Sequence, residues 1–375
     1  MTETIGRRAL NRATLARQHL LQRVAMPAAE MVEHLVGMQA QVPRNPYLGL
    51  WSRLEGFRPE ELEGLLVGRR AVRTGLLRAT IHLVTADDCL RLRPVLQPVL
   101  DRAFASGSPF GRNLAGVDVD GVVAVGRALV EEKPRTAVEL RRLLGERWPD
   151  CDRQSLAAAV TYRLPMVQVT PRGLWHTSSQ PAWTTTDAWL GRPLADGLGL
   201  DALMVRYLAA FGPASVPDMQ RWCGLTRLRE VADRLRPQLL VLRDDAGREL
   251  FDLPGAPRPD PASPAPPRFL PEYDNVLLGH DDRSRFLPDQ PVVTGREGVN
   301  GVQGSVLVDG LFAAFWNLRH PTPGTARLVI RPFWTWTASD LAAVEVEGGR
   351  LLAWVAPDDE AHDVVVEPPP RGAPK

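Results

Sequence analysis

The sequence predicts an α+β fold of three tandem winged-helix modules followed by a β-rich C-terminal portion. Helical patterns followed by a short hairpin pattern recur three times, a segment with eight prolines spans 254–271, and the residues beyond it are rich in Val, Phe, Trp, Leu and Gly. A recurring order of elements is typical of a tandem array of modules. The expected divisions are winged helices at 1–118, 119–196 and 197–256, a Pro-rich linker at 257–271, the β-rich portion at 272–366 and a disordered tail at 367–375.

The second module carries the clearest signals. Thr136 and Glu139 have the spacing of a capping box, which marks the start of a helix. A second helix is expected at 153–162, and the turn Pro171-Arg-Gly173 favours a hairpin. We expect the two strands of this hairpin at 166–170 and 174–177.

The other modules repeat this order less regularly. In the first, the spacing predicts helices at 7–22, 27–37 and 59–67 before strands at 71–75 and 80–84. In the third, it predicts a helix at 201–211, a second helix that Ser215 caps, and a third helix at 226–236. Strands are expected after them at 238–243 and 249–253. In the C-terminal portion, strands are expected at 302–308, 311–318, 326–330 and 344–354.

Composition narrows the class of protein. The chain has 375 residues and a formal net charge of +1, and only two of its 45 basic residues are lysine, Lys133 and Lys375. A catalytic amine that forms a Schiff base is therefore not expected. Three widely separated cysteines make neither a disulfide framework nor a zinc spacing. With no apolar stretch of roughly 18 residues and no signal-peptide pattern, we expect a cytoplasmic protein without a membrane segment.

Gln39 and Gln41 flank one apolar residue and lead into a Pro-rich turn. If the segment is extended, both side chains project from the same side. Two neutral amides are poor general bases but can hold a water by donor and acceptor contacts. Such a pair suits a reaction with a good leaving group, whereas the alternative is a structural or surface pair. Arg44 and Asn45 in the same turn could reach a phosphate.

Further polar candidates follow the linker. His280, Asp281 and Asp282 are consecutive, and since consecutive residues rarely converge on one ion, we expect no metal site. Arg283 and Arg285 have strand spacing and could follow a phosphate track. Asn300-Gly301 is a hairpin-turn dipeptide within a segment that has Gly at every third position from 295 to 304. This segment is either a plain mobile hairpin or one that enters a nucleic-acid groove.

Three segments together resemble the AlkZ-type DNA glycosylases, a tandem winged-helix family. They are the Gln-Ala-Gln element at 39–41, Leu-Leu-Arg-Ala-Thr-Ile-His at 76–82, and Leu-Pro-Glu-Tyr-Asp-Asn-Val-Leu-Leu-Gly-His-Asp-Asp-Arg at 270–283. The resemblance implies that Gln39 and Gln41 are catalytic and that no cofactor is needed. DNA contacts are expected from Arg44, Asn45, His280, Arg283, Arg285 and Asn300.

The resemblance implies a monofunctional glycosylase that hydrolyses the N-glycosidic bond of N7-alkylguanine. Family members excise bulky natural-product adducts, unhook interstrand crosslinks and serve in self-resistance and DNA repair. Alkylation at N7 makes the guanine cationic, so the leaving group is good and a positioned water is sufficient. The expected partner is double-stranded DNA carrying alkylated guanine, and we expect a monomer.

Two other classes stay open on the sequence alone. A winged-helix transcriptional regulator without catalysis would bind one DNA sequence specifically and be indifferent to Gln39 and Gln41. A protein that sequesters a genotoxic drug would use some of the ten tryptophans to stack on it.

Overall fold

The structure, a computed structural model, describes residues 3–288 and 303–370. It has mixed α+β architecture, as expected, and the strands in this part of the chain form sheets of three, five and six strands. Within the same residues, no helix is long and apolar enough to cross a membrane. The Gly-rich segment at 295–304 lies almost wholly outside the described residues.

The first predicted module contains the expected helices, and 59–67 is matched at both ends. The helix expected at 7–22 ends at Arg17 because His19 has φ +52°, which a helix does not tolerate. The elements are β1 (Thr4–Ile5), α1 (Arg7–Arg17), α2 (Ala28–His34), β2 (Met38–Gln39), α3 (Asn45–Trp51), α4 (Pro59–Val67), β3 (Ala71–Gly75), β4 (Ile81–Thr85), α5 (Ala86–Ala105) and α6 (Phe110–Asn113).

In the second module, the predicted capping box is confirmed. Thr136 Oγ1 accepts from the Glu139 backbone N–H at 3.2 Å, and Glu139 Oε2 accepts from the Thr136 N–H at 2.8 Å. The elements are α7 (Val119–Glu132), β5 (Arg135–Thr136), α8 (Ala137–Arg147), α9 (Arg153–Arg163), β6 (Met166–Gln168), β7 (Ala182–Thr185) and α10 (Thr186–Leu190).

The hairpin of this module differs from the prediction. Its second strand is β7 rather than 174–177, and it pairs antiparallel with β6. The segment 174–177 is drawn instead to the first module, where the Trp175 N–H donates to Glu63 Oε1 at 2.8 Å. The Trp175 ring packs 5.0 Å from the Tyr47 ring, centroid to centroid. These contacts join residues that are far apart in the sequence, so local residue spacing does not predict them.

The third predicted module agrees closely with the expected order. Ser215 caps its second helix, and Asp218 completes a capping box. The elements are α11 (Leu200–Phe211), α12 (Val216–Cys223), α13 (Arg229–Leu235), β8 (Leu240–Asp244) and β9 (Glu249–Asp252).

The C-terminal portion is less β-rich than expected. The strand predicted at 344–354 is wrong, because the residues 338–355 form a helix capped by Thr337. Its buried residues, Val344, Glu347, Gly348, Leu351 and Leu352, have helical spacing. The elements are β10 (Arg268–Leu270), α14 (Asn275–Leu278), β11 (Gly304–Val308), β12 (Leu311–Thr322), β13 (Thr325–Pro332), α15 (Ala338–Val355) and β14 (Ala361–Val366).

The hairpins of the first two predicted modules share one sheet. Its strand order is β2-β4-β3-β6-β7-β5, and the junction between modules is the antiparallel pairing of β3 with β6. Likewise, β1 pairs in parallel with β8 of the third predicted module. The predicted divisions therefore do not separate the sheets, and the count of three winged helices stays a prediction.

The five-stranded C-terminal sheet packs against the first module. Residues of β10 to β13 and of α15 share one apolar core with α2, α3 and α4. At this contact Arg53 donates through both terminal nitrogens to Asp274, at 2.9 and 2.8 Å, and both side chains are buried. A bidentate ion pair of this kind fixes the relative orientation of its two side chains and also contributes binding energy. It brings the 270–283 segment against the Gln-Ala-Gln element.

Candidate active site

The Gln-Ala-Gln element lies at an edge of the six-stranded sheet. Gln39 is the last residue of β2, and the Ala40 N–H then donates to the Ile81 carbonyl of β4 at 2.7 Å. Gly37 precedes the strand with φ +92°, and a Cβ there would lie 2.6 Å from Val84 Cγ1. Only glycine therefore allows this edge strand to approach β4.

Gln41 continues the strand pairing with its side chain. Its Oε1 accepts the Ile81 backbone N–H at 3.2 Å, while the Ala40 carbonyl accepts from Arg73 Nη2 at 2.7 Å. The regular strand ends at Gln39, so the expected projection of both glutamines from one strand does not extend to Gln41. Gln39 is only 8% exposed, whereas Gln41 is exposed.

Gln39 is oriented by Arg78, which the sequence did not single out. Arg78 Nη2 donates to Gln39 Oε1 at 2.8 Å and to Asn275 Oδ1 at 3.0 Å, and its Nη1 donates to the Trp222 carbonyl at 2.6 Å. Asn275 in turn donates to the Gly37 carbonyl at 3.2 Å. One guanidinium thus joins the Gln-Ala-Gln element, the 270–283 segment and α12.

Arg78 is held in an unusual environment. Burial, together with the charges of Arg221 and Arg283, lowers its pKa to about 10. Its backbone has φ +54°, and the next residue, Ala79, has φ +57°. Two successive non-glycine residues in the left-handed region cost about 1–3 kcal/mol each, a strain that concentrates at functional sites.

Among the described residues, the small cavity beside Gln39 is lined by no carboxylate that is free to act as a base. Asp274 lines the same small cavity, but Arg53 engages both of its oxygens. Each glutamine carbonyl has two acceptor sites and each amide nitrogen two donors. Because the known contact of each glutamine uses one acceptor site, both side chains retain capacity to hold a water.

The two residues of the Pro-rich turn have different surroundings. Arg44 is exposed, and its guanidinium lies over the Trp175 ring, 5.0 Å from the centroid. Asn45 is 4% exposed and donates to the Glu272 carbonyl at 2.6 Å. Arg44 therefore stays a candidate for a phosphate contact, whereas Asn45 links the turn to the C-terminal portion.

The burial of His280 and Arg285 argues against the DNA contacts expected of them. His280 is 1% exposed and bonds the Phe211 carbonyl at 2.9 Å; burial and the charge of Arg285 lower its pKa to about 3. Arg285 Nη1 donates to Thr14 Oγ1 at 3.0 Å and to the Pro213 carbonyl at 2.9 Å. We assign both residues a structural role.

Arg283 and Asn300 complete the expected set. Arg283 is partly buried, and its pKa is lowered by burial and by the charge of Arg221. Asn300 lies outside the described residues. Within 3–288 and 303–370, no three His, Cys, Asp or Glu side chains are grouped as they would be to hold a metal ion.

A basic groove opens beside Arg78. It has a volume of about 550 Å³ and is lined by α5 and α12. Arg102 and Arg221 are exposed on its walls, and Arg102 donates to the Gly224 carbonyl. Among the described residues, none of the three guanidiniums of Arg78, Arg102 and Arg221 forms a salt bridge with a carboxylate. Unneutralised guanidiniums in a groove favour an anionic ligand such as a phosphate backbone.

Sequence reasoning missed Arg78, Arg102, Arg221 and Asn275 as parts of the site. Arg78 and Asn275 lie inside two of the segments that carry the family resemblance. Their position in those segments is the sequence signal by which they could have been found. Arg102 and Arg221 lie on helices far apart in sequence, so only the fold brings them to one groove.

The chain is similar to known proteins of one family. The family described as "DNA glycosylase AlkZ-like" matches residues 32–354. A curated protein from Streptomyces sahachiroi, "Interstrand DNA cross-link repair glycosylase", is 24% identical over 360 residues, which cover 90% of this chain and 93% of that protein.

Among solved structures, "Streptomyces sahachiroi DNA glycosylase AlkZ" shares the fold with a TM-score of 0.73 at 19% identity, and the likeness covers 97% of this chain and 100% of that one. The family match spans both the Gln-Ala-Gln element and the segment that carries Asn275. The chain therefore belongs to the AlkZ-like DNA glycosylase family and is an enzyme of that class.

Proposed function

We propose that the protein hydrolyses the N-glycosidic bond of N7-alkylguanine in double-stranded DNA. The observation that supports this proposal most directly is a pair of neutral glutamines beside an arginine-lined groove. The neighbouring carboxylate of Asp274 is fully engaged by Arg53. A site without a free base suits a leaving group that is already activated. A guanine made cationic by N7 alkylation is such a group.

In the proposed reaction, Gln39 and Gln41 hold a water against C1′ of the damaged nucleotide. The N9–C1′ bond breaks and its electron pair neutralises the cationic base. The water oxygen bonds to C1′, and the released proton passes to solvent. Holding the water in line lowers the entropy cost of the attack. No lysine lines the cavity beside Gln39 in the described part of the chain, which supports a monofunctional enzyme.

The substrates we propose include bulky natural-product adducts and interstrand crosslinks, in a role of self-resistance and DNA repair. The curated relative is named for crosslink repair, which supports this range. Two exposed arginines, Arg102 and Arg221, would bind the phosphates of the damaged strand. The protein would act as a monomer.

The direct test is release of free N7-methylguanine and of a bulkier N7-alkylguanine from treated duplex DNA by the purified protein. Release with first-order kinetics and little dependence on DNA sequence is expected. A winged-helix regulator would instead bind one sequence tightly and release no base, an outcome that would overturn the proposal.

Arg102 and Arg221 give a prediction for DNA binding. The double variant Arg102→Gln/Arg221→Gln should bind duplex DNA of any sequence more weakly. The slope of log K against log salt should fall by about 0.9 for each phosphate that the variant no longer neutralises. Fluorescence anisotropy at several salt concentrations measures this slope.

A matched control is Arg142→Gln. Arg142 lies on the exposed face of α8, where it pairs with Glu146 at 2.6 Å, and its replacement should leave the slope unchanged. Equal slopes for the groove variant and the wild type would remove the groove from the DNA interface.

A further inference from the structure

A second cavity lies beside Gln41, on the other side of the loop that carries Arg78. Its volume is about 270 Å³, and its walls come from β4, α9, β6 and β7. Ala79 lines both this cavity and the basic groove, so the two lie next to each other. The residues that line this cavity include Gln41, Thr80, Ile81, Tyr162, Gln168 and Trp183.

Two aromatic side chains with exposed surface line this cavity. Tyr162 is partly exposed on α9, and its ring rests on Phe104 and Phe110, with centroids 6.4 and 6.2 Å away. Trp183 is partly exposed on β7 and packs on the core of the second module. Both rings are thus backed by protein while part of each faces the cavity.

The polar wall is also held in place. Gln168 is 8% exposed, and its Oε1 accepts from Arg73 Nε at 3.1 Å. This bond fixes the orientation of the amide. Among the described residues, the Gln168 Nε2 donor has no protein acceptor, which leaves it for a ligand. Aromatic walls with a few fixed polar groups are typical of small-molecule sites.

We infer that this cavity, which we call the Tyr162–Trp183 pocket, receives a flat fused-ring aromatic group of the damaged nucleotide. A cavity of about 270 Å³ is below the range of drug-sized pockets and suits about two fused rings. The ring would stack on Tyr162 or Trp183 while Gln41 acts at the adjacent sugar. The group is either the alkylated purine, turned out of the duplex, or an aromatic substituent on its N7. This inference rests on the proposed function.

The test compares Tyr162→Leu/Trp183→Leu with the wild type on two duplexes, one with N7-methylguanine and one with N7-(naphthylmethyl)guanine. Removal of stacking should lower turnover about 5- to 150-fold, the range for base–aromatic stacking. A decrease confined to the naphthyl adduct assigns the pocket to the substituent, and an equal decrease on both assigns it to the purine. Unchanged turnover on both would overturn the inference.

The matched control is Trp189→Leu. Trp189 is also partly exposed but lies on α10 under the guanidinium of Arg69, 4.0 Å from the ring centroid, and it does not line the pocket. Its replacement should leave turnover on both duplexes unchanged. Thermal denaturation of all variants identifies any loss of fold.

A binding measurement separates failure of the inference from failure of the proposed function. If the wild type releases neither base, the affinities of the two adduct duplexes and of an unmodified duplex are compared instead. Tighter binding of an adduct duplex by the wild type, absent in the leucine variant, would support the pocket without catalysis. Equal affinity of wild type and variant for all three would overturn it.

Discussion

The variants Gln39→Ala and Gln41→Ala are each expected to release N7-methylguanine about 30- to 1,000-fold more slowly than the wild type. Each removes a polar group that, in the proposed reaction, holds the attacking water, and loss of one such group raises a barrier by about 2–4 kcal/mol. The affinity for alkylated duplex should change little, because neither amide carries charge. Single-turnover release with protein in excess measures the chemical step alone.

Structural damage is the main alternative explanation for this slower release. Gln41 Oε1 accepts the Ile81 N–H, so the alanine variant also removes a bond at the sheet edge. Gln41→Glu keeps that acceptor and should preserve thermal stability. If both alanine variants kept the wild-type single-turnover rate, the glutamines would have no catalytic role.

Replacement of Arg78 by Met is expected to slow base release about 10- to 100-fold, or about 1.4–2.8 kcal/mol. The variant removes the donor that orients Gln39 Oε1 and leaves Asn275 Oδ1 without that partner. A partner group left unsatisfied in a buried site costs about 1–3 kcal/mol. Arg78 would act here as a positioning residue through Gln39.

Arg78→Lys separates positioning from simple charge. A lysine keeps the positive charge but lacks the planar fork that reaches two acceptors at once. If Arg78 only attracts DNA, the lysine variant should restore the rate. If it positions Gln39, the single-turnover rate should stay low at saturating protein. Arg102→Gln, in the same groove but without contact to Gln39, should change affinity and leave that rate intact.

Local signals predicted much of the helical framework. The capping boxes at Thr136 and Ser215 work through residues three positions apart, so the sequence contains both partners. The strand expected at 344–354 shows the opposite case. Over this short span the apolar residues fit both the helical period of about 3.6 residues and the strand period of about 2 residues. The packing of α15 on the C-terminal sheet selects the helix.

The candidate site was predictable in part. The Gln-Ala-Gln element was found because its pattern is local. The burial of His280 and Arg285 could not be predicted from local sequence, because their partners, Phe211, Thr14 and Pro213, lie 69, 271 and 72 residues away. A cluster of polar residues after an apolar run predicts a surface loop when the distant partners are not known. The same distance in sequence concealed the arginine groove.

Arg73 connects the two halves of the site in a way that limits what the enzyme can accept. Its Nη2 holds the Ala40 carbonyl between the two glutamines, and its Nε holds Gln168 in the wall of the Tyr162–Trp183 pocket. Arg73 on β3 thus reaches both the residue that follows β2 and a residue of β6, and these two bonds fix the gap between the proposed water-holding pair and the aromatic wall. Widening it would require breaking ladder bonds. In the proposed function, an adduct would therefore be selected by whether it fits that gap, and exchange of wall residues would change which adducts are accepted.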